Sequence, residues 1–520
     1  MAAGASPKNT ILTATGNAAP FAAVITAGEM KSYLETLASD EMQGRETGTE
    51  GQRKAAKFIE DHFRELGFPA IGDDGGYQQK IAFTAENWHN GKIHLNLNGK
   101  DYRHLYDFYS FPSTNVDRKT YQTDQVVFLG YGIDDPQYSD YKGVDVEGKT
   151  ILIYKGEPMR KNGKSYITRS RKLSSWSTNW RKKLEAAYQH GVALVLIIDP
   201  DIKKSIAKNR STLLSSQMKM GEGGNPKGRY ANNMFISGTV AKDIVGSKMK
   251  KFVKVRDGIK KTGKPKSMAL KCKLAAEQTK KTRQLLGSNV LGFIEGADPK
   301  LKEEVVVVTA HYDHLGMRNK SIYNGADDNG SGTSAVMNIS KAFMEAKNKG
   351  QGPRRSVLFM LVSGEEKGLL GSEYYSENPV FPLENTVADV NIDMIGRIDK
   401  KHSTPNYIYV IGADRLSTDL HKINEAANAA YTHLDLDYTF NAKNDPNRFY
   451  YRSDHYNFAK KGIPSVFFFS GVHEDYHRTT DTVDKIMFDK MEKIARLVFY
   501  TVWELANRDE RIVVDVVGED

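Results

Sequence analysis

The segment TAHYDHLGM, residues 309–317, places His311, Asp313 and His314 directly after a run of valines. A histidine beside a carboxylate is the pairing that holds a metal ion. The imidazole ligates, and the carboxylate orients it through the other ring nitrogen. A polar loop would read the same in isolation, so the remaining donors have to decide. GADDNGSG carries Asp327 and Asp328, GEEKG carries Glu365 and Glu366, NIDMIGR carries Asp393, and GVHEDYHRTTDT carries His473 and His477. Brought together without a matching cluster of Arg or Lys, such carboxylates would repel one another or take up protons. A divalent cation removes the conflict, and mixed imidazole and carboxylate ligation suits Zn²⁺, with Mn²⁺ or Co²⁺ as substitutes. More than four strong donors points to two ions sharing one carboxylate, about 3.5–4 Å apart. Glu365 and Glu366 are neighbours, and at a strand-to-loop bend both reach one cavity. One of them then ligates while the other takes a proton from an activated water.

Each cluster follows a short apolar run: EVVVVTA before HYDH, SVLFMLVS before GEEKG, VADVNI before Asp393, GIPSVFFFS before GVHEDYH. Helical periodicity in TSAVMNISKAFMEA separates two of these runs. Short apolar strands alternating with helices predict an α/β fold with a mostly parallel sheet covered on both faces. Ligands bind such sheets beyond the carboxyl ends of the strands, where the polar clusters fall.

In this order, HYDH, GADDNGSG, GEEKGLLGS, NIDMIGR and YHRTTDT resemble the M28 family of zinc aminopeptidases, over about 27–115 and 285–505. The resemblance implies the zinc exopeptidase fold and two zinc ions per chain. By the family pattern His311 and Asp393 ligate one ion, Glu366 and His477 the other, and Asp328 bridges them, with Asp327 as the alternative bridge. Glu365 takes the role of general base, and Asp313 supports His311. His314 and His473 read as supporting or surface residues, and His455 in SDHYNF as a loop anchor. Tyr450 and Tyr451 are candidates to line the pocket. The implied substrates are peptides with a free N-terminus. A carboxypeptidase, a dipeptidase, a glutaminyl cyclase or a receptor-like protein without activity would be alternatives on the same fold. Retention of the whole ligand set and of Glu365 argues against the last of these. The family also implies a periplasmic or secreted location.

The rest of the chain supplies the frame. Residues 1–26 read as an extension outside the fold; their apolar part is interrupted and lacks a basic start, unlike a signal peptide. The catalytic domain is expected over 27–118 and 271–520. Its first part is two helical stretches between 27 and 66, joined by the loop DEMQGRETGTEG. Between the two parts, 119–270 is expected as an inserted, mostly-β unit. Its segments VVFLGYGI, GKTILIYKG and AAYQHGVALVLIID resemble a protease-associated domain. Charge follows a similar division: residues 151–290 hold 32 Lys+Arg against 8 Asp+Glu, within a chain of net charge +10. No nucleic-acid recognition motif accompanies that excess, so a solvated basic surface and no nucleic-acid partner are expected. The single Cys272 excludes an intramolecular disulfide and a thiolate metal cluster. No apolar run is long enough for stable membrane insertion.

Overall fold

The structure is a computed structural model that describes residues 11–13, 18–214, 216–221 and 229–516; for 89–91 and 211 it describes the backbone alone. The chain forms two compact units. One comprises Met1–Phe83 with Leu285–Asp520, the other Thr84–Gln284.

The first unit is built on seven neighbouring strands of one sheet. In chain order these are β1 (Met268–Ile294, of which 290–294 pair here), β2 (Val305–His311), β3 (Ser356–Val362), β4 (Thr386–Ile392), β5 (Tyr407–Ile411), β6 (Asp435–Asp437) and β7 (Ser465–Phe469). Their spatial order is β6-β5-β7-β4-β2-β3-β1. The pairs β3/β2, β2/β4, β4/β7 and β5/β6 are parallel, while β1/β3 and β5/β7 are antiparallel. The unbroken apolar runs follow from burial on both faces. Val306, Val308 and Ala310 of β2 point into one core with Val357 and Phe359 of β3, whereas Val305 and Val307 join Leu358 and Met360 in a second. Helices cover both sides. Residues of α1 (Ala27–Leu37), α2 (Glu50–Glu65), α3 (Gly332–Asn348) and α7 (Phe488–Asn507) fill the first core. Tyr375 of α4 (Leu370–Glu377) and Phe458 of α6 (His455–Ala459) fill the second; α5 (Thr418–Ala427) packs on α7.

The extension expected at 1–26 is partly integral to this unit. Ala18, Phe21, Ala22 and Ile25 are buried in the first core, with Phe21 stacked on Trp503 at 5.6 Å between ring centroids. Residues 1–10 and 14–17 lie outside the described residues.

The second unit is larger than the composition suggests, beginning at 84 rather than 119 and ending at 284 rather than 270. Gln78–Leu97 and Met268–Ile294 are single long strands that pass through each boundary without a change of texture. Within the unit, Arg118–Phe128, Thr150–Tyr154, Leu194–Ile198 and Asn233–Ile236 form four adjacent parallel strands. Helices at Arg181–Gln189, Ile202–Lys208, Gly238–Val245 and Met249–Thr262 accompany them, so the insertion is α/β rather than mostly β.

Candidate metal centre

Four parallel strands of the first unit deliver their polar clusters to one edge. β2 ends on His311, β4 is followed by Asp393, and β3 leads through Ser363 and Gly364 into a single tight turn, Glu365–Lys367. After β7 comes the loop carrying His473 and His477. The Asp327–Asp328 segment is fixed differently, by the loops around it. The Asp481 carboxylate accepts the amides of Asp327 and Asp328 at 3.1 Å each. Beyond it, Asn329 accepts the amide of Gly332 and donates to the Ile392 carbonyl. A side chain at Gly332 would stand 2.4 Å from Asn329 Oδ1 and 2.5 Å from Ile392 O, so only glycine lets α3 begin there.

Two groups of donors result, and Asp328 belongs to both. His311 Nε2 lies 3.5 Å from Asp328 Oδ1 and 3.3 Å from Asp393 Oδ1. On the other side, His477 Nε2 lies 3.1 Å from Asp328 Oδ2 and 3.3 Å from Glu366 Oε1. Donors each 2.0–2.1 Å from a tetrahedral ion stand about 3.3–3.4 Å apart, so these spacings fit Zn²⁺. His311 Nε2, Asp328 Oδ2, Glu366 Oε1 and Asp393 Oδ1 are buried and face one another's donor groups without a well-directed hydrogen bond to a described residue, which fits donors directed at ions.

The adjacent glutamates occupy opposite electrostatic states. Burial, with Glu366, Asp393 and Asp454 nearby, holds the Glu365 carboxyl well above the usual range despite the opposing His311. Burial acts on Glu366 too, yet its contacts with His314 and His477 hold it well below that range. The same contacts, with Asp328, push His477 up to about 10 against the pull of burial. The two neighbouring carboxyls are thus shifted in opposite directions, Glu365 up and Glu366 down. Glu365 Oε2 stands 3.9 Å from His311 Nε2.

Several expected contacts take another form. Asp313 meets His311 through its main chain: His311 Nδ1 donates to Asp313 O at 3.1 Å, while the carboxylate oxygen is 3.7 Å away. That carboxylate instead accepts the Thr47 hydroxyl and the Glu365 amide, tying the His311 loop to the Glu365–Lys367 turn. Asp327 points away from the ligands, accepting the Gly396 amide at 2.6 Å with His473 Nε2 3.2 Å from its other oxygen. His314 is no surface residue. It is fully buried, with Nδ1 2.9 Å from Glu366 Oε1 and 3.8 Å from Asp328 Oδ2, and so forms a second possible triad with them. His455 is buried under Tyr450 and Phe467, and its pKa is pushed down to about 3 by burial. Tyr450 packs against Arg415, and the tyrosine lining the cleft is Tyr476, stacked on His477.

Two supporting residues had no distinguishing spacing in the sequence. Ser453 donates to Asp393 Oδ2 at 2.8 Å. Arg45, fully buried, donates to four main-chain carbonyls, those of Leu37, Tyr312, Asn324 and Gly325, and thereby holds both loops that flank the ligands. Only the positive φ of 51° at Arg45, in the loop between α1 and α2, marks it locally. The cleft over the donors is otherwise apolar, lined by Met394, Phe449, Phe467 and Phe469, with Arg452 at the same wall.

Comparison with known proteins converges on this edge of the sheet. Residues 289–502 match Peptidase family M28. A probable leucine aminopeptidase of Arthroderma otae is 33% identical over 215 residues, 40% of this chain and 56% of that protein. Aminopeptidase YwaD of Bacillus subtilis is 26% identical over 266 residues, half of this chain and 52% of its own. The chain thus spans little more than half the length of these curated relatives. Among solved structures, an aminopeptidase from Aneurinibacillus sp. strain AM-1 superposes with a TM-score of 0.56 at 18% identity, covering 96% of this chain and 98% of that one. A zinc aminopeptidase from Bacillus subtilis gives 0.50 at 19% identity, over 95% and 99%. At these identities the likeness is one of fold. The segment that matches Peptidase family M28, residues 289–502, is the one that carries the strand-end donors His311, Asp328, Glu366, Asp393 and His477.

Proposed function

We propose that this chain is a metallo-aminopeptidase that hydrolyses the first peptide bond of substrates with a free N-terminus, using two zinc ions. The observation that carries this reading is Asp328, one carboxylate shared by two His/carboxylate groups, with Glu365 beside them. His311 and Asp393 would hold one ion, Glu366 and His477 the other, and Asp328 both; Mn²⁺ or Co²⁺ would substitute. Bound there, the ions supply Lewis acidity to the scissile carbonyl and to the attacking water.

The chain's own groups supply the rest. Glu365 removes a proton from the attacking water and returns it to the departing amine, a role suited to a carboxyl whose proton affinity burial has raised. Asp313 fixes the Glu365 amide and the loop of His311, so base and ligand keep one spacing. The apolar cleft beside Asp393 accepts an apolar N-terminal side chain and excludes water from it. We also read residues 119–270, within the unit 84–284, as a protease-associated insertion, from their resemblance in sequence. We read the chain's place of action as periplasmic or secreted, from the same family likeness.

The test is zinc content per chain measured beside hydrolysis of an aminoacyl anilide panel, with and without chelator. About two zinc ions and chelator-sensitive release of the N-terminal residue are expected. Glu365→Gln is expected to keep its metal and lose about 10²–10⁴-fold in kcat. One zinc with cyclisation of N-terminal glutamine would replace this reading by a cyclase. Protein that stays inert after zinc is restored would replace it by a binding protein.

A further inference from the structure

The inserted unit carries charge that its own residues do not answer. Residues 84–284 hold 39 Lys+Arg against 18 Asp+Glu. Part of this excess is concentrated by one local construction. The helix Met249–Thr262 ends on Lys260 and Lys261, turns left-handed at Gly263 and continues to Lys264. Against this end folds a knot formed by residues 159–173. Tyr166 donates its hydroxyl to the carbonyls of Lys260 and Lys261 at 3.1 and 2.8 Å. Its ring occupies the space a side chain at Gly263 would need, 2.2 Å from the Cβ position. Within the knot the amide of Ser165 donates to Ser170 O, and Thr168 Oγ1 donates to Lys172 O at 2.6 Å.

These bonds tie the knot that carries Arg169, Arg171 and Lys172 to the helix end that carries Lys260, Lys261 and Lys264. All six are exposed, and none makes an ion pair with a described residue. Like charges held together by specific bonds repel, and a polyanion relieves that repulsion while releasing counterions. Two further features indicate which polyanion. Leu173, directly after Arg171 and Lys172, is 46% exposed, an apolar side chain next to cations at the end of the knot. Tyr166, whose hydroxyl is committed and whose ring is covered by Arg160 at 4.7 Å, is not available to stack on a nucleic-acid base. Cations next to an exposed leucine suit the head-group layer of an anionic bilayer, where the charges meet lipid phosphates and the leucine enters the acyl boundary.

We propose that the 159–173 knot and the end of the Met249–Thr262 helix form a peripheral docking face for anionic lipid membranes. The full-length protein is tested by co-sedimentation with phosphatidylcholine vesicles, with and without phosphatidylglycerol. Binding to the anionic vesicles alone is expected, falling as salt is raised. The triple variant Arg169→Glu/Arg171→Glu/Lys172→Glu is expected to weaken the partition constant on the order of 100-fold. Its unfolding midpoint should match that of the parent, since none of the three side chains bonds to a described residue. Leu173→Ser is expected to weaken binding several-fold and leave its salt dependence unchanged. Equal binding to both vesicles, no binding to either, or indifference to the triple variant would overturn the proposal. So would tighter binding to duplex DNA or to polyphosphate than to anionic vesicles at the same salt.

Discussion

At the scale of single residues, Arg45 shows how much of the centre depends on a group that touches no ligand. Its guanidinium satisfies carbonyls on both sides of the ligand loops, and its charge lies among Asp481, Asp328, Asp313 and Glu366. Burial lowers its pKa to about 10, which still leaves it cationic at neutral pH. Arg45→Met would leave buried carbonyls unpaired and take a positive charge from a carboxylate cluster. We expect a loss of at least about 3 kcal/mol of unfolding free energy, measured by urea titration. Weaker zinc retention should accompany it, because the loops 312–314 and 324–325 lose their common anchor. Arg45→Lys should recover only part of either effect, since one ammonium cannot reach four carbonyls arranged for a planar fork. In the sequence this role has no signature. The bonds of Arg45 join it to residues almost 280 positions away, and spacing reports only local neighbours. His314 was hidden for a related reason: adjacency to Asp313 says nothing about a contact with Glu366.

At the scale of elements, the start of α3 and the burial of α2 each lead to a measurement. Gly332→Ala pushes a methyl group into Asn329 and the Ile392 carbonyl, the two contacts that place Asp328. We expect a cost of about 1–3 kcal/mol in a urea titration and loss of zinc from both positions together, read by metal analysis after dialysis. On α2, His62 is buried against the Met337 carbonyl of α3, to which Nε2 donates at 3.0 Å. Burial lowers its pKa from 6.5 to about 4. Its neutral form is the folded one, so its contribution is complete above pH 6.5 and is lost as the pH falls towards 4. The loss reaches about 3 kcal/mol. Urea midpoints at pH 7 and 4.5 should therefore differ less in His62→Gln than in the parent. Elements were also the most legible level of the sequence. β2, β3, β4 and β7 are unbroken apolar runs because both their faces are buried, and the donors follow them directly. The limits of the inserted unit were not legible, because Gln78–Leu97 and Met268–Ile294 each run through a boundary as one strand. Phe21 escaped notice because a four-residue helix is too short to show a period.

At the scale of the molecule, the inserted unit is entered and left at one place. Thr84 donates its hydroxyl to the Gln284 side chain at 3.1 Å, so the two ends of the unit are neighbours. Replacing 84–284 by a short glycine-rich loop should leave the first unit folded, because its cores are built without those residues. Two zinc ions per chain and a cooperative thermal transition are expected of the excised protein; metal-free or molten protein would show that the first unit depends on the insertion.

The same arrangement sets an order for events on the ribosome. The insertion is one continuous stretch and can fold as soon as it emerges. The first unit cannot: Phe21, Leu34 and Phe63 belong to a core that also needs α3 and α7, synthesised several hundred residues later. At about 5–20 residues per second, translation from Phe83 to the end of α7 takes roughly 20–90 s. Throughout that interval the amphipathic α1 and α2 wait without their partners, and once residue 284 has emerged they wait tethered to a finished neighbour. The period in which this protein most needs a chaperone is thus written into its topology.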